Sequence, residues 1–282
     1  MYEAYWGLKR KPFENTPDPE FLYHSSQHEE ALARLLYAVT ERKGAAILTG
    51  VFGCGKTVLG QTLLKELSED RYRIAFINYP MLSHLEFLLA VAKSLGASDL
   101  PTNRQEVLVN LVLDKLNNTL LNNVRDGKDS IVIIDEAHII EDALIFESLR
   151  LLLNFQLPDR FLLTLLLVGQ PELKGKIDRV PQLKQRLSIR YHLQNLDFQE
   201  TQEYIRHRCR VAGREDAPFS DTSIGLIYSA SSGIPREINN ICDLCLVIGM
   251  GEKVTLINEE IASQVVRDMK PEMNLTNNLA KD

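Results

Sequence analysis

The chain has 282 residues, of which 45% are hydrophobic and 25% are charged. This composition excludes a largely disordered chain, and the length predicts one large domain and one small domain. The net charge of -6 argues against a generally basic protein that binds nucleic acid, but it does not exclude a basic surface on one side of the molecule. Because the sequence has neither an apolar run near the roughly 20 residues that cross a bilayer nor a signal-peptide pattern, we expect a cytoplasmic chain with reduced cysteines.

The first segment, residues 1–43, is predicted to be an arm followed by one helix. Aromatic residues and prolines are frequent in residues 1–27, which is typical of an ordered, extended arm. Leucine and valine then recur at helical spacing from Leu32 to Val39, and the helix is expected to end before Gly44.

Residues 44–196 alternate short β-type runs with helical segments. The runs at 131–135 and 161–168 are apolar almost throughout, which is typical of strands covered on both faces. The alternation predicts an α/β fold with a parallel sheet and crossover helices. The predicted strands lie at 45–49, 73–78, 131–135, 161–168 and 188–193. One helix is predicted to begin at Thr57, further helices to extend from the second strand to residue 120, and another helix to begin at about residue 141.

The last third of the chain is predicted to be helical. The periodicity indicates helices at 198–211, 220–231, 235–249 and 258–269, hence a small helical domain over 197–269 and a polar, frayed tail over 270–282. Cys242 and Cys245 form a CxxC pair, but they fall on the apolar stripe of one of these helices. Core packing is therefore favoured over redox chemistry.

The segment GVFGCGKT at 50–57 fits the phosphate-loop pattern G-x-x-x-x-G-K-[ST]. A β-type run precedes the segment and a helix follows it, so backbone N–H groups are expected to surround a phosphate chain. Lys56 is predicted to contact the β- and γ-phosphates of a nucleotide, and the Thr57 hydroxyl to bind Mg²⁺. The other predicted nucleotide-binding positions of the loop and helix start are Gly50, Gly53, Cys54, Gly55 and Val58. Cys54 occupies a variable position of the pattern and receives no catalytic role.

The segment IVIIDEAH is an apolar strand that ends in two carboxylates. Asp135 is predicted to hold the Mg²⁺ shell, and Glu136 to polarise a water for attack on the γ-phosphate. Asp-Glu after a strand is by itself often only a helix cap. DEAH is also a helicase signature, but such helicases need two sheet domains, and the residues after Asp197 are too few and too helical for a second one.

Two further polar residues are candidates for the same chemistry. Gln170 follows the run at 161–168 and could orient the attacking water, while a simple strand-to-loop turn explains it equally well. Arg236 lies in the first turn of a helix after Pro235, where a cation is unfavourable unless an anion is near, so a nucleotide phosphate is the favoured partner. An ion pair of Arg236 with Glu237 or Asp243 is the alternative.

The segment at 174–190 carries six basic residues and one acidic residue. Three alternative explanations apply to this segment: it forms a solvated helix face, it offers an arginine to the γ-phosphate of a neighbouring subunit, or it contacts the phosphates of DNA.

These motifs together resemble those of the AAA+ ATPases and, more narrowly, those of the ExeA/GspA-type secretion ATPases. The narrower resemblance extends to about residue 268. In chain order it rests on the N-terminal YWGLKRKPFENTPDPEFLYHSSQHEEALARLLYAV, GVFGCGKT, IVIIDEAH, LRLLLNFQ, VGQPEL, LKQRLSIRYHL and SGIPREINN. It implies a five-stranded αβα sandwich with a helical lid domain, and an ATPase that uses Mg²⁺.

The resemblance also implies roles for single residues. Walker A is placed at Gly50, Gly55, Lys56 and Thr57, Walker B at Asp135 and Glu136, sensor 1 at Gln170 and sensor 2 at Arg236. Arg186 resembles the arginine finger, with Arg190 as the alternate, and Asn78 stands where many AAA+ proteins restrain the catalytic glutamate. His138 departs from the pattern, because relatives commonly have glutamine there.

For partners, the resemblance implies a homo-oligomer, as a ring or filament, that serves secretion or envelope assembly. Relatives of this type usually continue into a transmembrane segment and a peptidoglycan-binding module. Neither lies in these 282 residues, so we expect a truncated cytoplasmic domain or a stand-alone relative. The chain is also similar to the transposition ATPases of the TniB, TnsC and MuB type, which implies a DNA-binding assembly as the alternative.

Overall fold

The computed structural model describes residues 1–98, 100 and 109–269. They form two compact units. The sheet unit comprises Ser26–Phe52 and Leu59–Leu193, and the helical unit comprises Met1–Ser25, Gly53–Val58 and the described residues from Gln194 onward. The polar tail predicted over 270–282 lies outside the described residues.

The elements follow one another in a simple order. The strands are β1 (Ala45–Gly50), β2 (Tyr72–Ile77), β3 (Asp129–Ile134), β4 (Gln156–Leu157), β5 (Arg160–Phe161), β6 (Leu163–Gly169) and β7 (Leu187–Leu193). The helices are α1 (Glu3–Trp6), α2 (Ser26–Thr40), α3 (Lys56–Glu66), α4 (His84–Ser94), α5 (Val109–Arg125), α6 (Ala143–Leu152), α7 (Glu172–Asp178), α8 (Pro181–Arg186), α9 (Phe198–Val211), α10 (Asp221–Ser231), α11 (Pro235–Gly251) and α12 (Glu259–Met269).

The main sheet has five parallel strands in the order β2-β3-β6-β1-β7. All residues of β6 and all but the first residue of β3 are buried, as their apolar sequences predict for strands covered on both faces. Ile134 pairs with Leu167, and Thr49 pairs with Gly169. The carboxyl ends of β3, β6 and β1 therefore meet at one edge of the sheet, with β6 between the other two.

Two details of the sheet unit differ from the prediction. The run at 161–168 is not one strand, because Phe161 belongs to a two-stranded antiparallel sheet with Gln156 while Leu163 begins β6. The helices α7 and α8 follow β6, where no helix bounds were predicted and a solvated helix face was one of three explanations for the segment at 174–190. Both are short, with seven and six residues, so they provide little periodicity for recognition.

The N-terminal arm packs within the helical unit by its aromatic side chains. Tyr2, Trp6, Phe13 and Phe21 are buried in one core with residues of α9 to α12. The Trp6 indole donates a hydrogen bond to the Leu246 carbonyl at 2.9 Å. The arm was predicted to be extended, but it contains the one-turn helix α1. Its backbone conformation is determined by the packing of its aromatic side chains in the core of the helical unit.

The CxxC pair is confirmed as core packing. Cys242 and Cys245 lie on α11 and are fully buried. Burial raises the pKa of the Cys245 thiol to about 12 and raises that of Cys242 well above its ordinary value. Both thiols stay protonated at neutral pH and act as small apolar groups.

We expect Trp6→Ala to destabilise the helical unit by about 3–5 kcal/mol, because it empties a large buried site and removes the partner of the Leu246 carbonyl. Urea unfolding followed by circular dichroism measures the loss. Leu244→Ala is the matched control, since Leu244 lies on α11 and is 41% exposed. Equal stability of the two variants would contradict a packing role for the arm.

Among the helices within the described ranges, none combines the length and the apolar character needed to span a bilayer.

Candidate functional site

The strand-end carboxylates lie at the edge where β3 ends. Asp135 is 4% exposed, its backbone N–H donates to the Ile77 carbonyl, and its Oδ1 accepts the Glu136 N–H at 2.8 Å. Glu136 adopts a left-handed backbone conformation, with φ of 50°, and begins a 3-10 turn over Ala137–Ile139. This conformation is uncommon outside glycine and is found disproportionately at functional sites.

Gln170 directly follows β6, so it lies between the ends of β3 and β1 as the sequence predicted. Its backbone N–H donates to His138 Nδ1 at 3.3 Å, and its side-chain amide lies 2.9 Å from His138 Nε2. His138 Nδ1 is in turn 3.2 Å from Glu136 Oε2. The structure therefore brings Gln170 and Glu136 to the same histidine. Sequence reasoning noted His138 only as a departure from a pattern, and its position two residues after Glu136 was the available signal.

The phosphate loop begins where β1 ends at Gly50, and α3 begins at Lys56. Gly53 and Gly55 have φ of 83° and 101°, the left-handed region that suits glycine. Within the helical unit, Lys56 is 5% exposed and its Nζ lies 3.8 Å from the Cys54 sulfur. Burial raises the pKa of the Cys54 thiol, partly opposed by Lys56, so Cys54 is a buried neutral thiol.

Arg236 contacts this loop. Its backbone N–H donates to the Gly53 carbonyl at 3.3 Å. A Cβ atom at Gly53 would lie 2.7 Å from Arg236 Cβ and 3.6 Å from Cδ, so the arginine side chain passes alongside the loop. Gly233 fixes the start of α11, because a Cβ there would lie 1.8 Å from the Leu196 carbonyl oxygen. Asp243, one of the two predicted alternative partners, accepts a hydrogen bond from Tyr2.

The basic segment is largely engaged within the sheet unit. Lys176 donates to the Ile140 carbonyl at 2.7 Å, and Lys184 forms an ion pair with Asp178 at 2.8 Å. Arg186 donates to the Leu153 carbonyl and is half-buried, whereas Arg190 donates to the Lys184 carbonyl and is exposed on the outer strand β7. Lys176, Lys184 and Arg186 are thus held by internal partners, while Arg190 stays exposed.

The remaining predicted residues lie at the expected elements. Thr57 and Val58 are in the first turn of α3, and Asn78 follows β2 as an exposed residue beside the end of β3. Asp135 and Thr57 offer carboxylate and hydroxyl oxygens, which are the ligand types that Mg²⁺ takes. Within the described ranges, no group of three or more His, Cys, Asp or Glu residues could hold a metal. A Mg²⁺ ion held mainly by substrate phosphates fits this donor set, because Mg²⁺ sites commonly use one or two protein ligands.

Comparisons with known proteins agree with this architecture. Residues 39–177 match the model of an AAA domain family. General secretion pathway protein A of Aeromonas hydrophila is 38% identical over 250 residues, which cover 88% of this chain and 44% of that protein. The ORC1-type DNA replication protein 1 of Halobacterium salinarum is 25% identical over 240 residues, covering 79% of this chain and 71% of that protein.

The solved structures show the same fold. The ORC2 protein of Aeropyrum pernix, in its ADPNP-ADP complexes, superimposes with a TM-score of 0.68 at 17% identity, covering 92% of this chain and 71% of that one. The fold and the sequence matches define an AAA+ protein of the P-loop class. Within this class, the chain belongs to the general secretion pathway protein A type. It spans less than half the length of that relative.

Proposed function

We propose that the chain is a Mg²⁺-dependent ATPase, with residues 44–196 as its core and residues 197–269 as its lid. One observation carries the proposal. The strands β1, β3 and β6 end at the same edge of the sheet, and they are followed by a phosphate loop, a carboxylate pair and a polar amide. Parallel α/β sheets bind ligands at this edge.

The proposed roles follow from the chemistry of phosphoryl transfer. Backbone N–H groups of the loop bind the phosphates, and Lys56 neutralises the β- and γ-phosphate charge. Thr57 and Asp135 are the proposed Mg²⁺ ligands; the ion, when bound, neutralises charge that develops on the phosphate oxygens. Glu136 accepts a proton from the attacking water. We further propose that Gln170 orients this water.

Arg236 is proposed to contact the nucleotide phosphates, since its side chain passes alongside the loop at Gly53. An arginine of a neighbouring copy would complete the charge neutralisation, with Arg186 or Arg190 as the donor. The half-buried Arg186 would have to leave the Leu153 carbonyl, whereas Arg190 is exposed. A homo-oligomer is therefore part of the proposal. The cytoplasmic location expected from the sequence stays a prediction.

The similarity to general secretion pathway protein A supports coupling of this ATPase to secretion or envelope assembly, and we propose such proteins as partners. A second function is a DNA-binding assembly controlled by ATP. The similarity to an ORC1-type DNA replication protein favours it, while the internal contacts of the basic segment at 174–190 count against it.

The two functions differ in their response to DNA. We expect Mg-ATP to cause self-association and to be hydrolysed, with both processes changed less than about twofold by duplex DNA between about 50 and 200 mM salt. Light scattering and phosphate release measure the two processes, with ADP as the control nucleotide. A strong stimulation by DNA that disappears steeply with salt would favour the DNA-binding assembly and contradict the secretion function.

A further inference from the structure

A single imidazole joins the two polar strand ends of the sheet unit. His138 Nδ1 lies 3.2 Å from Glu136 Oε2, and His138 Nε2 lies 2.9 Å from the side-chain amide of Gln170. The His138 side chain is 14% exposed and that of Glu136 is 33% exposed. The ring is thus well shielded from water, and its polar neighbours are the two residues to which hydrolysis and water orientation are assigned above.

The backbone around His138 is fixed from both sides. Glu136 accepts the Ile139 N–H at 2.9 Å, which closes the turn, and Lys176 of α7 donates to the Ile140 carbonyl at 2.7 Å. A Cβ atom at Gly169 would lie 3.1 Å from the backbone nitrogen of His138 and 3.4 Å from Nδ1. Glycine at the end of β6 therefore lets the turn approach the strand closely, and the ring has little freedom to move away from Gln170.

The hydrogen bonds of the ring cannot all form at once. Nδ1 accepts the Gln170 backbone N–H only when Nδ1 carries no proton, and it donates to Glu136 only when it carries one. In the first arrangement Nε2 carries the proton and donates to the Gln170 side-chain oxygen. In the second arrangement Nε2 accepts from the Gln170 side-chain nitrogen. In the neutral imidazole, which has one donor and one acceptor nitrogen, the orientation of the Gln170 amide thus selects which ring nitrogen is protonated.

The consequence for Glu136 differs between the two arrangements. With Nδ1 accepting from Gln170, Glu136 Oε2 is buried and has no hydrogen-bond partner among the residues that the structure describes. A buried carboxylate oxygen without a donor is costly and readily accepts one, such as a water proton. With Nδ1 donating, the same oxygen is held by the ring.

We propose that His138 is a positioning residue that links Gln170 to Glu136, so that the orientation of the Gln170 amide determines whether the imidazole holds the Glu136 carboxylate. Contact of Gln170 with a bound nucleotide or its water would then change the state of Glu136. This inference rests on the proposed ATPase function, and it adds a connection between two residues of that site.

A double-mutant cycle of His138→Ala and Gln170→Ala tests the link. We expect His138→Ala to lower kcat for ATP hydrolysis by about 10- to 100-fold, by analogy with residues that orient metal ligands through hydrogen bonds. The affinity for a fluorescent ATP analogue should change by less than about twofold, because the loop residues are untouched. The double variant should be no more than about threefold slower than the slower single variant, since coupled residues are not additive.

Conservative variants separate positioning from packing. His138→Gln retains a donor and an acceptor and should recover kcat to within about fivefold of wild type, whereas His138→Leu, with similar volume and no hydrogen-bonding atom, should behave like His138→Ala. The leucine variant also serves if His138→Ala does not fold. In the protein without nucleotide, nitrogen-15 NMR of labelled histidine should show a shift of the His138 ring signals in Gln170→Ala and in Glu136→Gln.

The outcomes are distinct. A His138→Leu variant with wild-type kcat, or single-variant losses that multiply in the double variant, would overturn the link while leaving the ATPase function intact. Ring signals of His138 that have the same chemical shifts in Gln170→Ala and in Glu136→Gln as in the wild-type protein would also overturn the link. A wild-type chain that neither binds nor hydrolyses ATP in the presence of Mg²⁺ would instead refute the proposed function itself, whereas a wild-type rate in Glu136→Gln would refute only the assignment of the general base.

Discussion

Glu136→Gln is expected to lower ATP hydrolysis by about 10²- to 10⁴-fold, the contribution typical of a general base. The amide has nearly the same shape as the carboxylate but cannot accept the proton of the attacking water. ATP binding should be unchanged or tighter, because Lys56, Thr57 and Asp135 keep their proposed roles. Phosphate release measures hydrolysis, and a fluorescent ATP analogue measures binding.

The neighbourhood of Glu136 provides a matched control. Glu141 is an exposed carboxylate five positions along the chain, and Glu141→Gln removes the same charge without touching the strand end. We expect this variant to hydrolyse ATP at the wild-type rate. If both variants lose activity equally, the effect is one of charge or folding; if Glu136→Gln stays active, the assignment of the general base is wrong.

Lys56→Ala is expected to weaken ATP binding by about 2–5 kcal/mol, the range for truncating one partner of a buried charge pair, which corresponds to about 30-fold or more in Kd. Lys56 is 5% exposed at the start of α3, so its ammonium is already removed from bulk water before a phosphate binds. Hydrolysis and ATP-dependent self-association should be lost together, because both require the bound nucleotide.

Lys65→Ala is the control for this substitution, since Lys65 is exposed in the last turn of the same helix. Titration with the fluorescent ATP analogue compares the two variants, and Trp6 fluorescence checks the packing of the helical unit, because Trp6 is the single tryptophan of the chain. Normal binding and hydrolysis in Lys56→Ala would show that the loop at 50–57 is not the nucleotide site.

Much of the sheet could be predicted because its signals are local. The runs that form β3 and β6 are apolar for almost their whole length, and parallel strands covered on both faces require such runs. The helices α9 to α12 were equally recognisable, since each spans at least eleven residues and repeats its apolar face several times. Both features depend on side-chain spacing within one element.

Short elements and the arm were harder to predict. α7 and α8 have fewer residues than two full apolar repeats need, and Leu162 separates β5 from β6 inside a continuous apolar run. The pairing of Phe161 with Gln156 depends on a turn of the chain that apolar patterning does not record. The aromatic arm was recognised by composition, but its short helix depends on the surface against which it packs.

The loop at 50–57, the strand that ends in Asp135 and Glu136, and the helical character of the last third could be predicted without a structure, because each is encoded within one continuous segment. The contact of His138 with Gln170, which is 32 positions away, and that of Trp6 with Leu246, which is 240 positions away, became visible in the folded chain. Such contacts follow from strand order and from the packing of buried side chains. Both are properties of the whole chain, and no local pattern of residues specifies them.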